Sequence, residues 1–274
     1  MSRRLNSTLL FLVFALAAAA AVTVSAQMRY YGARSRVEPG VLPEKRTGFT
    51  FCRLAYTSMR RENGGSGWDT DFPMADENLM IRLSELTLSD ITRFDDEAPA
   101  HAVVRSTDDV LFQCPFLFAS DVGTVGFEEE EVVRLREYLF KGGILWVDDF
   151  WGTRAWREWT REIGRILPEY EIVELPMDHP VFSTFYFVEG IPQIPSIQHW
   201  RRTGGGTSER GSDSAVPKMY GILDEDDQLL VVMSHNTDIA DGWEREGEDF
   251  QFFHSFSPYG YSIGINMAIY SMTH

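Results

Sequence analysis

Short apolar runs alternate with amphipathic segments along most of the chain. The runs are four to eight residues long and rich in aromatic and β-branched residues, which is typical of buried strands. They cover residues 49–56, 102–105, 112–119, 144–147 and 172–175. Between them, apolar residues recur with the period of an amphipathic helix over residues 75–88, 127–141 and 154–167. Strands that alternate with helices predict an α/β fold, a three-layer sandwich around a mostly parallel sheet.

The clearest unit of this pattern is the helix predicted over residues 127–141. Four consecutive glutamates, Glu128 to Glu131, occupy its first turn, where the helix dipole favours negative charge. Gly142 and Gly143 follow directly, as expected at a helix C-terminus. The next residues, Ile-Leu-Trp-Val at 144–147, are all apolar and indicate a strand that is covered on both faces.

The last third of the chain departs from this alternation. Residues 192–217 have no hydrophobic period and are rich in Gly, Ser and Pro, so they predict an irregular, mobile insertion. The apolar runs at 219–223 and 229–234 flank a polar turn, which predicts an antiparallel hairpin. A final helix is expected over residues 261–272, and without internal repeats the chain predicts one α/β domain over 48–274.

The first 26 residues carry an arginine pair, an apolar run over 9–22 and small residues at 24–26. This is the pattern of a secretory signal peptide, so we expect export to the periplasm or the extracellular space, with residues 27–47 as a linker. The apolar run is shorter than the roughly 20 residues that span a bilayer comfortably. If the segment were not cleaved, it would anchor the chain to a membrane.

The composition limits the classes of partner. The chain has 274 residues, a formal net charge of −16 and 44% hydrophobic residues, which is ordinary globular composition rather than that of a disordered chain. The acidic excess argues against nucleic acid or an anionic membrane surface as partner, because both require clustered Lys and Arg. A small ligand or a protein of the cell envelope is the expected partner.

The two cysteines, Cys52 and Cys114, both lie in apolar runs. Two thiols buried as small hydrophobic side chains are the favoured interpretation. A disulfide is the alternative, since export would permit one.

Polar side chains gather where the predicted strands end. In an open parallel sheet, ligands bind beyond the carboxyl ends of the strands. The resulting candidates for ligand binding are Trp68, Asp69, Asp71, Asp148, Asp149, Trp151, Asn236 and Asp238. The candidate ligands of a divalent metal are Asp69, Asp71, Asp148 and Asp149, and the candidate catalytic residues are Asp148, Asp149 and His179.

Crowded carboxylates at such an edge support two kinds of chemistry. They can hold Ca²⁺ or Mg²⁺, and His179 or His235 would allow a transition metal instead. A close pair such as Asp148 and Asp149 can also divide into acid and base. The alternative is structural, because Asp beside a strand end often caps free backbone N–H groups. No nucleophile elbow, P-loop, dinucleotide fingerprint or metalloprotease motif is present.

An ordered set of motifs resembles a bacterial family known as domain of unknown function 4159. The motifs span residues 48–274 and include FCRLAY, FLFASDVG, LREYLFKGGILWVDDFWG, LPMDHPVFSTFY and VVMSHNTDIADGWE. The resemblance implies a class I glutamine amidotransferase-like, flavodoxin-like fold. In true amidotransferases of that fold a nucleophilic Cys follows the central strand, where this chain has Asp148 and Asp149. A carboxylate does not readily form the thioester of glutamine hydrolysis, so glutaminase activity is not expected.

Three hypotheses for function follow. The first is a non-catalytic exported domain that binds a ligand or partner through the acidic edge and the 192–217 insertion. The second is a hydrolase that uses a metal or a carboxylate pair at the same edge. The third is a structural subunit of an envelope assembly, which would expose an apolar patch of several hundred Å².

Overall fold

The structure is a computed structural model that describes residues 38–62 and 64–274. The predicted signal peptide (1–26) and residues 27–37 of the predicted linker lie outside the described residues. Everything from residue 38 onward belongs to one compact unit.

The centre of this unit is a seven-stranded, mostly parallel sheet, as the sequence pattern predicts. The strands are β1 (Cys52–Ala55), β2 (Ala102–Arg105), β3 (Phe116–Ala119), β4 (Ile144–Phe150), β5 (Val173–Glu174), β6 (Lys218–Leu223) and β7 (Leu229–His235). Their spatial order is β2-β1-β3-β4-β7-β6-β5. The first five strands in that order are mutually parallel, whereas β6 runs antiparallel to both β7 and β5.

The helices are α1 (Met74–Thr87), α2 (Glu129–Phe140), α3 (Gly152–Ile166), α4 (Ile197–Thr203), α5 (Asp241–Glu244) and α6 (Phe250–Thr273). Glu128 and Glu131 form a capping box at the start of α2, in which the Glu128 amide donates to Glu131 Oε2 at 2.9 Å. The glutamates therefore accept hydrogen bonds from free backbone N–H groups at the N-terminus of α2 and also interact favourably with the helix dipole.

Both faces of the sheet are buried, because successive side chains of a strand point to opposite faces. Phe116 and Phe118 pack into one core cluster, which also contains residues of α1, α5 and α6. Leu117 and Ala119 pack into the other cluster, with residues of α2 and α3. This double coverage explains why the central strands read as continuous apolar runs in the sequence.

Strand β4 continues beyond its apolar residues. The sequence pattern predicts a strand over 144–147, but β4 runs on through Asp148 and Asp149 to Phe150. Its register with β7 shifts between Val147 and Phe150, and Asp149 has a φ of +53°. A register shift of this kind changes the direction of side chains locally. The side chains of Asp148 and Asp149 therefore point in different directions at the end of the central strand.

The favoured interpretation of the cysteines is wrong: Cys52 and Cys114 form a disulfide, with their Cα atoms 6.1 Å apart. Both side chains are buried in the same core cluster. Cys52 begins β1, and Cys114 lies two residues before β3, the neighbouring parallel strand. Both cysteines are buried, as their apolar runs predict. The pairing of β1 with β3 also brings the two side chains together, and the sequence pattern does not reveal this pairing.

The 192–217 insertion is more regular than its composition suggests. It contains helix α4, which Ser196 caps by accepting a hydrogen bond from the His199 amide. Ile194 and Ile197 are fully buried in the core. Glu209 ties the segment together, because its Oε1 accepts hydrogen bonds from the amide and hydroxyl of Ser196 at 2.8 and 2.6 Å.

Within the described residues, every helix is too short or too polar to cross a membrane.

Candidate functional site

A cleft of about 860 Å³ opens at the carboxyl ends of the parallel strands. Its floor comes from the segments that follow β1, β3, β4 and β7, and residues of the 192–217 insertion form one wall. Carboxylates line the floor: Asp71, Asp121, Asp149, Asp238 and Asp241. The position is the one in which open parallel sheets bind their ligands.

Asp71 reaches the floor from the long connection between β1 and α1. It has a φ of +64°, a left-handed conformation that Asp tolerates better than most residues. Arg53 of β1, which is fully buried, holds this connection by donating to the carbonyl oxygens of Trp68 and Thr70 at 3.2 and 2.8 Å. The same guanidinium forms a buried ion pair with Asp76 in the first turns of α1. Arg53 therefore fixes both ends of the segment that carries Asp71.

Asp238 and Asp241 reach the floor from the segment after β7. Asp238 Oδ1 accepts a hydrogen bond of 2.8 Å from the amide of Asp241, the first residue of α5. Asp241 Oδ2 accepts a bond of 2.9 Å from the amide of Ile197, the first residue of α4. Asp241 thus joins the floor of the cleft to its wall.

Asp71, Asp238 and Asp241 converge. Each offers one carboxylate oxygen, these oxygens all lie within 4.8 Å of one another, and all three residues are buried. Oxygens that share one Ca²⁺ at the usual 2.3–2.6 Å are separated by at most about 5 Å. The three carboxylates therefore have the spacing of ligands to a single hard cation.

Two further carboxylates line the cleft beside this trio. Asp149 Oδ1 accepts a hydrogen bond of 2.8 Å from the indole nitrogen of Trp151. Asp121 Oδ2 accepts one of 2.9 Å from the Gly67 amide. Like Asp71, both have positive φ values, +53° for Asp149 and +51° for Asp121. Strained backbone conformations of this kind concentrate at functional sites.

Asp148 lies beneath the floor and is fully buried. Its Oδ2 accepts a hydrogen bond of 2.9 Å from the Ala240 amide, so it supports the segment between Asp238 and Asp241. Its Oδ1 is buried and has no hydrogen-bond partner among the described residues. An unsatisfied buried carboxylate oxygen is costly, and here it adds to the negative potential that acts on Asp238.

Burial and mutual repulsion make these acids hard to ionise together. Burial raises the pKa of Asp149, Asp238 and Asp241 well above the usual range, and the neighbouring carboxylates raise it further. Burial also raises the pKa of Asp148 to about 8 and, with repulsion from Glu62, that of Asp121 to about 7. A divalent cation would remove this penalty, because it favours the ionised form of every carboxylate around it.

Some residues predicted from the sequence lie away from the cleft. Asp69 is exposed and does not line the cleft, because the connection after β1 turns between it and Asp71. Trp68 packs against the core and Phe72 instead of facing a ligand. His179 caps a short 3₁₀ helix, with its Nδ1 accepting from the Val181 amide, and lies beside Tyr270. Although β5 has the same direction as β7, since both are antiparallel to β6, His179 lies six positions past its first residue and is not among the residues that line the cleft.

The other predicted residues lie at or directly beneath the cleft. Trp151, Asp71, Asp149 and Asp238 line it, and Asp148 supports it. Asn236 acts on the backbone: its Oδ1 accepts a hydrogen bond of 2.8 Å from the amide of Gly152, the first residue of α3.

Asp241 was not among the ligand candidates selected from the sequence. It lies only three residues after Asp238, in the same segment beyond the last strand, and this position could have indicated it. The arginines of the cleft were also missed. They come from four separate segments, and nothing in the order of the residues indicates that they line one cleft.

The fold and the site together define an α/β protein with a mostly parallel sheet and an acidic cleft at its strand ends. The family model for the domain of unknown function DUF4159 matches residues 50–272, and the chain belongs to this family. A search of curated proteins found no match.

Proposed function

We propose that this chain is an exported domain that binds a divalent cation through Asp71, Asp238 and Asp241 and uses it to hold a small ligand in the cleft. The observation that carries the proposal is the convergence of three buried carboxylate oxygens within 4.8 Å. Buried carboxylates are stable in proteins when they are paired or coordinate a metal. Oxygen ligands of this kind favour Ca²⁺, Mg²⁺ or Mn²⁺.

The raised pKa values of Asp238 and Asp241 agree with this interpretation, because crowded carboxylates are stabilised in their ionised form by a cation. Arg245 offsets part of the negative charge, since its Nε lies 3.4 Å from Asp241 Oδ1. The first-ranked hypothesis from the sequence, a binding domain that uses the acidic edge and the 192–217 insertion, is supported by the way this insertion forms a wall of the cleft.

We also propose a flavodoxin-like, class I glutamine amidotransferase-like arrangement for the fold. Numbered along the chain, the five parallel strands have the order 2-1-3-4-5, which is the flavodoxin order. Core clusters with helices on both faces of the sheet support the same assignment. Both cysteines are in the disulfide, so no thiol is available for glutaminase chemistry.

Hydrolysis is the second candidate function, and Asp149 is the observation that favours it. Asp149 is buried in the cleft in a left-handed conformation, and the pKa of its carboxyl is raised well above the usual range by burial and by Asp71. A carboxyl with a raised pKa is suited to act as a general acid. In this function Asp149 would not be a ligand of the cation, because coordination would favour its ionised form.

The test of the cation site is a thermal-shift titration with Ca²⁺, Mg²⁺, Mn²⁺ and Zn²⁺, combined with measurement of bound metal. A cation at a hundredfold excess over its Kd stabilises the native state by about 2.7 kcal/mol, which raises Tm by about 5–10 °C at this size. Asp71→Asn and Asp241→Asn should abolish the shift. Asp69→Asn is the matched control, because it removes an exposed charge two residues from Asp71.

The proposal fails if no cation stabilises the parent protein, or if Asp71→Asn and Asp69→Asn respond alike. The hydrolase candidate is tested on the cation-loaded protein with chromogenic phosphate and carboxylate esters. Asp149→Asn should then remove turnover while the cation-induced thermal shift persists. Turnover that is unaffected by this substitution would exclude Asp149 as the acid.

A further inference from the structure

The cleft is rich in arginine as well as in acids. Six of its lining residues are arginines, namely Arg60, Arg61, Arg154, Arg202, Arg210 and Arg245. Arg60, Arg210 and Arg245 form ion pairs with glutamates or aspartates of the same region. In the described part of the chain, Arg61, Arg154 and Arg202 have no carboxylate within ion-pair distance, and Arg202 contacts only the His199 ring.

These three arginines belong to different elements. Arg61 lies in the connection after β1, Arg154 in the first turn of α3, and Arg202 in α4 of the insertion. A single run of charged residues is usually a solvated surface, but here separate segments bring positive charge to one opening. The concentration is selective, because the protein as a whole carries a net charge of −16.

We propose that the cleft binds the phosphate group of a polar small molecule, held between these three arginines and the cation. This inference rests on the proposed cation site. A phosphate ester carries close to two negative charges and three terminal oxygens, so it can contact a cation and several guanidinium groups at once. A carboxylate has only two oxygens, and one arginine can satisfy both of them.

The cation connects the two halves of the site. The acidic floor alone would repel an anion, whereas Arg61, Arg154 and Arg202 would attract one. A cation on Asp71, Asp238 and Asp241 reverses the sign of the potential at the floor, so the phosphate oxygens have a positive partner on both sides. The cleft volume of about 860 Å³ exceeds that of inorganic phosphate and leaves room for the rest of a small molecule.

The lining also indicates the character of that molecule. Besides the charged residues, the wall contributes the side chains of Ser196, Gln198 and His199. These groups donate or accept hydrogen bonds, and Trp151 is the aromatic residue among the cleft-lining residues. A hydroxyl-rich body fits this surface better than an extended apolar one.

The test is calorimetric titration of inorganic phosphate, with acetate as the comparison anion, into the purified protein with Mg²⁺ and separately with EDTA. We expect phosphate to bind in Mg²⁺ and acetate to bind at least tenfold more weakly. Arg154→Gln and Arg202→Gln should each weaken phosphate binding by about tenfold or more, the usual effect of losing one charge-assisted hydrogen bond. Arg157→Gln is the matched control, since Arg157 lies one turn further along α3, is largely exposed and does not line the cleft.

The outcomes separate this inference from the cation proposal. If Mg²⁺ stabilises the protein but phosphate does not bind, or if acetate binds as tightly, the phosphate site is overturned and the cation site stands. If phosphate binds equally well in EDTA and remains sensitive to Arg154→Gln, the anion site stands without its cation. Equal effects of Arg154→Gln and Arg157→Gln would overturn the role of the arginines.

Discussion

The Ala240 amide donates a 2.9 Å hydrogen bond to Asp148 Oδ2, so a fully buried carboxylate of the central strand supports the segment that carries Asp238 and Asp241. The bond crosses from β4 to the connection after β7. The sequence interpretation treated Asp148 as a candidate metal ligand. Its geometry instead gives it a supporting role beneath the site, one layer below the residues that line the cleft.

Two substitutions of Asp148 should therefore have different effects. Asp148→Ala removes the acceptor for the Ala240 amide and leaves a small cavity, so it should lower the free energy of unfolding by about 1–3 kcal/mol. Asp148→Asn keeps an acceptor oxygen and cannot ionise, so stability should be about equal near neutral pH and higher above pH 8, where the buried Asp148 carboxyl would ionise. Urea denaturation measures both. Equal losses in the two variants would show that the hydrogen bond is not the main contribution of Asp148.

Substitution of Arg53, which holds the segment that carries Asp71, is expected to destabilise the protein strongly. Arg53 is fully buried, pairs with Asp76 and donates to the carbonyl oxygens of Trp68 and Thr70. Arg53→Met should lower the free energy of unfolding by about 3–5 kcal/mol, because it leaves a buried carboxylate without its partner.

The double variant Arg53→Met/Asp76→Leu separates the charge from the other contacts. It should recover part of the loss, since no unpaired charge remains, but not all of it, since the two carbonyl oxygens lose their donor. Denaturant unfolding of both variants gives the comparison. A loss below about 1 kcal/mol in the single variant would contradict the prediction.

The stability of the cation-free protein should fall as pH rises from 5 to 8. In the folded state burial raises the pKa of Asp148 to about 8 and that of Asp121 to about 7, whereas in the unfolded chain both are near 3.8. Between these pKa values the folded protein binds more protons than the unfolded chain. The stabilisation that is fully present below about pH 4 is therefore lost as pH rises through the folded-state pKa values of Asp121 and Asp148. Thermal melts in EDTA should show Tm lower by about 5 °C or more at pH 8 than at pH 5.

Two comparisons check the origin of this pH dependence. Asp148→Asn removes one titrating group and should reduce the fall in Tm. Saturating Ca²⁺ or Mg²⁺ should reduce it in the parent protein, because cation binding favours the ionised carboxylates. A cation-free protein whose Tm rises between pH 5 and 8 would contradict the prediction.

The disulfide is expected to contribute substantially to stability. Cys52 and Cys114 are separated by 62 residues, and the chain-entropy model assigns about 4 kcal/mol to closing a loop of that length. The variant Cys52→Ala/Cys114→Ala should lose about 2–4 kcal/mol in the free energy of unfolding and keep the cation-induced thermal shift, since neither cysteine lines the cleft. The same shift measured in reducing agent provides the control without substitution.

The local pattern of apolar and polar residues was sufficient to predict most of the helices and strands. Predicted helix 75–88 corresponds to α1 at Met74–Thr87, and predicted strand 102–105 matches β2, because both depend on short-range periodicity. The C-terminal helix was predicted to begin at 261 but begins at Phe250. Asp249 caps it, accepting from the Gln251 and Phe252 amides, and Pro258 within the helix interrupts the expected signal.

The site was less predictable, because it depends on which segments meet. The rule that ligands bind at strand ends was enough to select Asp71, Asp149 and Asp238. Their partner Asp241 and the pairing of Cys52 with Cys114 depend on packing between segments that are distant in sequence. Local spacing carries no information about such contacts.

The wall of the cleft belongs to a segment, residues 192–217, that contributes no strand to the sheet. Some of its hydrogen bonds are internal, such as Glu209 to Ser196 and Gln193 to the Ser214 carbonyl. Others reach distant parts of the chain, since Asp213 accepts from the Thr153 amide and the Ile197 amide donates to Asp241. Floor and wall therefore come from different stretches of the chain that meet where the Ile197 amide bonds Asp241. Substitutions in the wall away from this bond would change what the cleft can hold without altering the carboxylates of its floor.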